Sequence, residues 1–277
     1  MLYYITVHYE TDKWVPIQLY YINKFTKCDF RIFACLPSIK GVSDGFYFIS
    51  DYNNPNLISS MNLADKLNYL SSEVFREAKN EDLIIFMHGD AFPVADFLPF
   101  VKEKIKKHRL VAIRRDENNG DKQPHTSFCA TTVGFWKTIE GDWSQGYQWK
   151  DKNGAFVTDS GGNLLKKLEI VKWYPLLRTN KKNLHPLWFG IYHNMIYHHG
   201  AGFRPPVSRI DLATSGMDQE KFLSSDNYRA NLNSSEVMFN KIIRDKFFYK
   251  ELLEDRSFKK RFVEFMSNLY DPNVGRS

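Results

Sequence analysis

Cysteine is scarce in this chain, and long apolar runs are missing altogether. The three cysteines, Cys28, Cys35 and Cys129, cannot all pair with one another, and none sits in a close-spaced ligand motif. A disulfide scaffold and a cysteine-built metal knuckle are therefore excluded, and the three read as reduced thiols of a cytosolic protein. No stretch approaches the ~18 uninterrupted apolar residues that a membrane span needs. Met1 to His8 lacks the basic start and apolar run of a secretion signal. Membrane association, if any, is expected to be peripheral, at an inner membrane face. Internal repeats and low-complexity tracts are also lacking, so a solenoid or a disordered linker protein is not the expectation.

What is present is an ordinary globular composition with one bias. The 277 residues are 43% hydrophobic and 25% charged, enough for a sizeable core. Aromatics reach 16%, which offers flat surfaces for bases, sugars or core packing. The formal net charge is +6, which favours acidic partners, but the cations are spread along the chain and form no single tract. A diphosphate-bearing ligand fits this as well as nucleic acid does.

Along the first half, short apolar runs alternate with helix-period stretches, the pattern of an α/β fold with a mainly parallel sheet. Tyr3 to His8, Phe30 to Leu36, Phe46 to Ser50, Leu83 to Met87 and Leu110 to Arg114 read as strands. Thr11 to Lys27, Asn62 to Lys79 and Val94 to His108 read as helices, the second with Leu63, Leu67, Leu70, Val74 and Ala78 on one face. Ser127 to Phe135 and Leu187 to Tyr197 are expected as longer strands, separated by a loop-rich stretch with Trp143, Tyr147 and Trp149. Ser234 to Tyr270 reads as basic helices. This rhythm sets off an α/β domain over residues 1 to 215, whose character changes near residue 115, from a helical extension over 216 to 277.

Chemistry concentrates at two turns. In the first, the apolar strand Leu83 to Met87 runs into His88-Gly89-Asp90. Ligands of open α/β sheets bind beyond the carboxyl ends of the strands, where a carboxylate can hold Mg²⁺ or Mn²⁺. The plainer alternative is that Asp90 caps a following helix. In the second, a strand ends in His198-His199, followed by glycines and Arg204. Imidazole suits Mn²⁺-class ions, and neighbours on a strand face opposite ways, so one of the pair is the expected ligand, with His198 preferred.

The segment Lys66-Leu67-Asn68, followed by a strand that ends in His88-Gly89-Asp90, resembles GT-A glycosyltransferases, in which a basic residue and a Leu-Asn pair precede an Asp-x-Asp turn. The chain departs from that pattern by carrying His88 where the first aspartate stands. The resemblance implies a Rossmann-like sheet flanked by helices, a nucleotide-sugar donor, a glycan or lipid-linked acceptor and a divalent Mn²⁺ or Mg²⁺. It implies Asp90 and a late histidine, His198 or His199, as metal ligands. Donor contacts are implied for His8, Tyr9, Asp51, Lys66, His88 and Arg204. Asp159, before Ser160 and two glycines, matches the carboxylate that takes the acceptor proton in an inverting reaction, although capping the next helix explains an aspartate there too. A nucleotidyltransferase is the rival enzyme class, disfavoured by the glycine-free stretch Thr6 to Thr11. A basic nucleic-acid module is the non-enzymatic rival, approached only by the aromatic and basic tail.

Overall fold

The computed structural model describes residues 1–9, 14–36, 44–53, 58, 60–116, 120–150, 154–168, 172–179 and 190–199. Arg204, the expected helices over 234–270 and the boundary near 215 lie outside the described residues.

The centre is a seven-stranded sheet. Its strands are β1 (Leu2–Val7), β2 (Phe30–Cys35), β3 (Phe48–Ile49), β4 (Leu83–His88), β6 (Leu110–Ile113), β7 (His125–Thr132) and β10 (Tyr174–Leu176), in the order β10-β6-β7-β4-β1-β2-β3. Only β7 runs against its neighbours β4 and β6; the other pairings are parallel. The expectation of a mostly parallel α/β sheet is met.

Both faces are covered, which is why β4 and β6 read as near-continuous apolar runs and do not alternate. Ile84 and Phe86 of β4 point to one face, where they pack with Leu67, Leu70 and Val74 of α3 (Leu63–Phe75) and with Trp136 and Trp143. Ile85 and Met87 point to the other, against Ile22 of α1 (Trp14–Phe25) and Leu98 and Val101 of α4 (Leu98–His108). The short α2 (Ser50–Asn53) continues β3 directly. Helix α3 opens with a reciprocal capping box between Asn62 and Asp65, which satisfies two otherwise unpaired backbone donors. It ends earlier than Lys79, the expected limit.

Two sequence expectations are corrected and two alternative readings fall away. The stretch Ser127 to Phe135 is not one strand: β7 ends at Thr132, whose hydroxyl caps α5 (Val133–Thr138) by accepting from Phe135 N at 3.2 Å. Asp90 caps no helix, because the chain continues as β5 (Ala91–Pro93) and α4 begins only at Leu98. The late strand is a hairpin, β11 (Gly190–Tyr192) and β12 (Ile196–His198), turning at His193 and Asn194 with φ of 51° and 55°. Such positive φ values suit a tight hairpin turn, and asparagine tolerates them best among residues with a side chain. Finally, Asp159 is not a helix cap. Between it and α6 (Gly162–Lys167) stands Gly161 at φ 100°, where an added Cβ would come within 2.4 Å of the Pro124 carbonyl. Only glycine fits that position.

β12 pairs with β5, placing His198 opposite Ala91. Tyr21, Phe92 and Tyr197 stack in series at 4.9 and 4.8 Å, fastening this three-stranded sheet to α1. A two-stranded ribbon, β8 (Gln148–Lys150) with β9 (Phe156–Thr158), precedes Asp159. No helix among the described residues is long and apolar enough to cross a membrane.

Candidate metal centre

The turn after β4 is held from beneath. Gln18, fully buried on α1, donates through Nε2 to the carbonyls of His88 (2.7 Å) and Ala91 (2.8 Å). Its Oε1 accepts from Thr6 Oγ1 at 3.0 Å and lies 2.9 Å from His8 Nε2. Because an amide oxygen only accepts, His8 carries its proton on Nε2. Gly89 N donates to the Val7 carbonyl at 2.9 Å. The turn is thereby pinned to the end of β1 and to the buried face of α1.

His88, Asp90 and His198 come together above this support, with one ligand atom from each within 4.8 Å of the others. His198 Nε2 lies 3.6 Å from Asp90 Oδ1, and both side chains are nearly buried, at 11% and 13% exposed. The backbone completes the union: His199 N donates to the Asp90 carbonyl at 3.0 Å. A cation with bonds of about 2.1 Å spaces neighbouring ligand atoms roughly 3.0–3.5 Å apart, so a small side-chain adjustment brings the three donors into coordination distance. Burial also keeps the imidazoles neutral, which coordination requires. It lowers His88 to about 4, assisted by the neighbouring His198. It lowers His198 to about 3, assisted by the Arg115 cation. The donor set therefore fits a divalent ion.

A third imidazole, His125, flanks the cluster, its ring 5.3 Å from His88 and 5.5 Å from His198. Burial and then Arg115 hold it well below the usual histidine value. Next to it, Thr126 Oγ1 lies 2.5 Å from His88 Nε2. Arg115, just past β6, binds buried Asp121 through Nε (2.9 Å) and Nη2 (2.6 Å), and the same Nη2 reaches Asp159 Oδ2 at 2.6 Å. Burial opposes its charge, but the Asp121 and Asp159 carboxylates outweigh that and raise Arg115 above its ordinary value. Asp159 is 40% exposed and also lies 3.9 Å from His125 Nε2, so its carboxylate stands beside the histidines.

The expected residues divide accordingly. Asp90, His198, His88 and Asp159 gather at one place. His199 turns away: its Nδ1 lies 2.9 Å from the Tyr197 hydroxyl and its ring 4.6 Å from that of Trp14. His8 is buried beneath the turn. Asp51 sits farther along the sheet edge, accepting from Leu36 N at 2.5 Å. Lys66 is buried with its Nζ 5.8 Å from the ring of exposed Tyr9. Asn68 ties α3 to the loop after α5, donating to Asp142 Oδ1 at 2.7 Å and accepting from Trp143 N at 3.1 Å. Trp143, in the loop-rich stretch, is core, packed on Phe86 and Trp136.

Sequence reasoning missed His125, Thr126 and Asp121. The signal was available in part: an antiparallel strand delivers its first residues to the edge where parallel strands deliver their last, and β7 begins at His125. Nothing in the local pattern revealed that β7 was reversed.

No protein-family model and no curated protein sequence matches the chain. Solved structures that resemble it include GT-A glycosyltransferases. The galactosyltransferase LgtC, in complex with donor and acceptor sugar analogues, is similar over 66% of this chain and 75% of its own, at 9% identity and a TM-score of 0.37. The mannosyltransferase PcManGT from Pyrobaculum calidifontis, in complex with GDP-Man and Mn²⁺, is similar over 63% of this chain and 54% of its own, at 11% identity and 0.38. S. aureus TarS 1-349 is similar over 87% of this chain and 71% of its own, at 10% identity and 0.39.

Proposed function

We propose that this chain is a metal-dependent glycosyltransferase that moves a sugar from a nucleotide-diphosphate donor to an acceptor hydroxyl with inversion. The observation that carries the reading is the convergence of His88, Asp90 and His198 at the carboxyl edge of the sheet, beside the Arg115–Asp159 pair. His88, Asp90 and His198 would hold a divalent cation, which when bound takes up negative charge from a departing diphosphate.

The protein's own residues supply the rest. Arg115, kept charged by Asp121 and Asp159, adds positive potential in buried surroundings, where charges act strongly. Asp159 presents a partly exposed carboxylate beside it. As general base it accepts the acceptor's hydroxyl proton while the acceptor oxygen bonds to the anomeric carbon and the diphosphate leaves with the electrons of the broken C–O bond. The free thiols Cys28, Cys35 and Cys129 accord with a cytoplasmic enzyme of glycan assembly. Its acceptor is a glycan or a lipid-linked glycan, reached through peripheral membrane contact by the basic residues after 234.

The test is a thermal-shift panel of nucleoside diphosphates and nucleotide sugars, with and without Mn²⁺. A ligand that binds only the folded chain raises Tm. One nucleotide acting only with the ion is the expected outcome, and the Asp90→Ala chain should lose it. A shift with RNA or DNA alone would turn the assignment to a nucleic-acid module.

A further inference from the structure

Resting on the reading of Asp159 as general base, we propose that His125 is a second catalytic residue. Its Nε2–H and Asp159 Oδ2 form a cradle for one oxygen, which holds the acceptor hydroxyl between an N–H donor and the base that takes its proton.

His125 stands beside the candidate ligand imidazoles but is not built to join them. Its Nδ1 accepts from the Ser127 backbone N–H at 3.2 Å, and Ser127 Oγ lies 2.6 Å from the same nitrogen. A backbone N–H only donates, so Nδ1 carries the lone pair and Nε2 the proton. The lone pair that coordination requires is thus already engaged at Nδ1 and missing at Nε2. What the ring offers is a fixed neutral donor, on a side chain only 4% exposed, 3.9 Å from Asp159 Oδ2. The spacing is held by the loops on both sides. Gln123 Nε2 donates to the Ser160 carbonyl at 3.1 Å, and Gly161 lies against the Pro124 carbonyl, so the start of β7 and the segment carrying Asp159 are tied together.

A separation of 3.9 Å is too long for a direct hydrogen bond and suits one bridging oxygen. With bonds of about 2.9 Å from Nε2 and about 2.7 Å to Oδ2, that oxygen sees the two at roughly 90°. A hydroxyl meets this by accepting with one lone pair and donating its own proton. Asp159 can receive it: Oδ1 accepts from Ser160 N at 2.8 Å and Oδ2 from Arg115 Nη2 at 2.6 Å, which leaves Oδ2 a further lone pair. The hydroxyl oxygen keeps its second lone pair for the anomeric carbon. As the new C–O bond forms, the bond to the diphosphate breaks and the hydroxyl proton passes to Asp159. His125 retains its own proton throughout, and contributes by fixing the attacking oxygen in line.

The experiment uses the full chain with Mn²⁺. Each nucleotide sugar of the thermal-shift panel is offered with water as the acceptor, and release of nucleoside diphosphate is followed, because water presents an O–H to the same cradle. His125→Phe removes the donor, and His125→Gln returns an N–H near the place of Nε2. His125→Phe should lower kcat about tenfold, the worth of one hydrogen bond, with KM for the nucleotide sugar and Mn²⁺ affinity unchanged. His125→Gln should recover most of that loss. A raised KM with kcat intact would make His125 a donor contact, and weakened Mn²⁺ binding would make it a ligand. Either result overturns the inference, as does a kcat that is the same in the two variants. If both variants melt early, neutron diffraction from the wild-type chain carries the test: deuterium on Nε2 is expected, and deuterium on Nδ1 overturns the inference. No release by the wild-type chain with any nucleotide sugar, or undiminished release by Asp159→Asn, removes the general-base reading and the inference with it.

Discussion

His198 and His199 are neighbours in sequence but serve opposite sides of β12. The first directs Nε2 toward Asp90 Oδ1 at 3.6 Å, and the second places Nδ1 2.9 Å from the Tyr197 hydroxyl and packs on Trp14. Backbone alternation alone produces this split. It follows that His198→Ala should abolish Mn²⁺-dependent stabilisation with little loss of fold. His199→Phe should retain the metal response and cost about 1–2 kcal/mol, the worth of a buried hydrogen bond left unmade. Urea melts with and without Mn²⁺ separate the two; a metal response surviving in His198→Ala would remove that residue from the site.

How much of this was legible beforehand depends on which residues are asked about. Leu83 to Met87 announced a central strand because both faces of the sheet are covered, leaving no polar alternation to confuse the reading. Asp90 followed, since a polar turn after such a strand falls where ligands bind. His125 and Thr126 were hidden because the expected strand was started at Ser127, and a strand's direction leaves no mark on its own residues. The β11–β12 hairpin was read as one long strand because strands of three residues carry too little periodicity to expose a turn. The Arg115–Asp121 pair spans a loop, and such contacts arise only when the chain closes on itself.

Five buried imidazoles make acid stability a property of this site. Burial lowers His8 and His199 to about 4, as it does His88, and brings His198 to about 3 and His125 well below 6.5. The unfolded chain therefore binds more protons than the folded one between pH 6.5 and about 4, and stability falls as pH drops through that window. For His8 alone the loss is on the order of 3 kcal/mol. Urea midpoints should decline steadily from about pH 7.5 to about pH 5, above the range where most carboxylates titrate. A level profile there would contradict burial of the neutral rings.

Asp159 is tied to Arg115, yet Arg115 does not depend on it, because Asp121 holds the same guanidinium through two hydrogen bonds. Asp159→Asn should leave the unfolding free energy within about 1 kcal/mol of wild type, as expected for a half-exposed pair. Donor binding should persist while transfer drops by about 10²–10⁴-fold, the usual worth of a general base. Arg115→Ala is different in kind: it strands the fully buried Asp121 side chain and should cost about 3–5 kcal/mol. Unimpaired turnover in Asp159→Asn would take that residue out of the chemistry.

Gly89 lies directly over His8, and a Cβ built on it would approach His8 Nδ1 to 2.6 Å and His8 Cα to 2.9 Å. The ring cannot swing aside without breaking its 2.9 Å bond to Gln18 Oε1, and the backbone atom cannot move without shifting the end of β1. Gly89→Ala must therefore lift the turn that carries His88 and Asp90, at a cost of about 1–3 kcal/mol for overpacking. Metal affinity should fall with it, even though no ligand is altered. His8→Ala in the same chain removes the ring but leaves the backbone contact, so it should recover only part of the stability and metal affinity. Full recovery in the double variant would mean that the ring alone excludes a side chain at position 89.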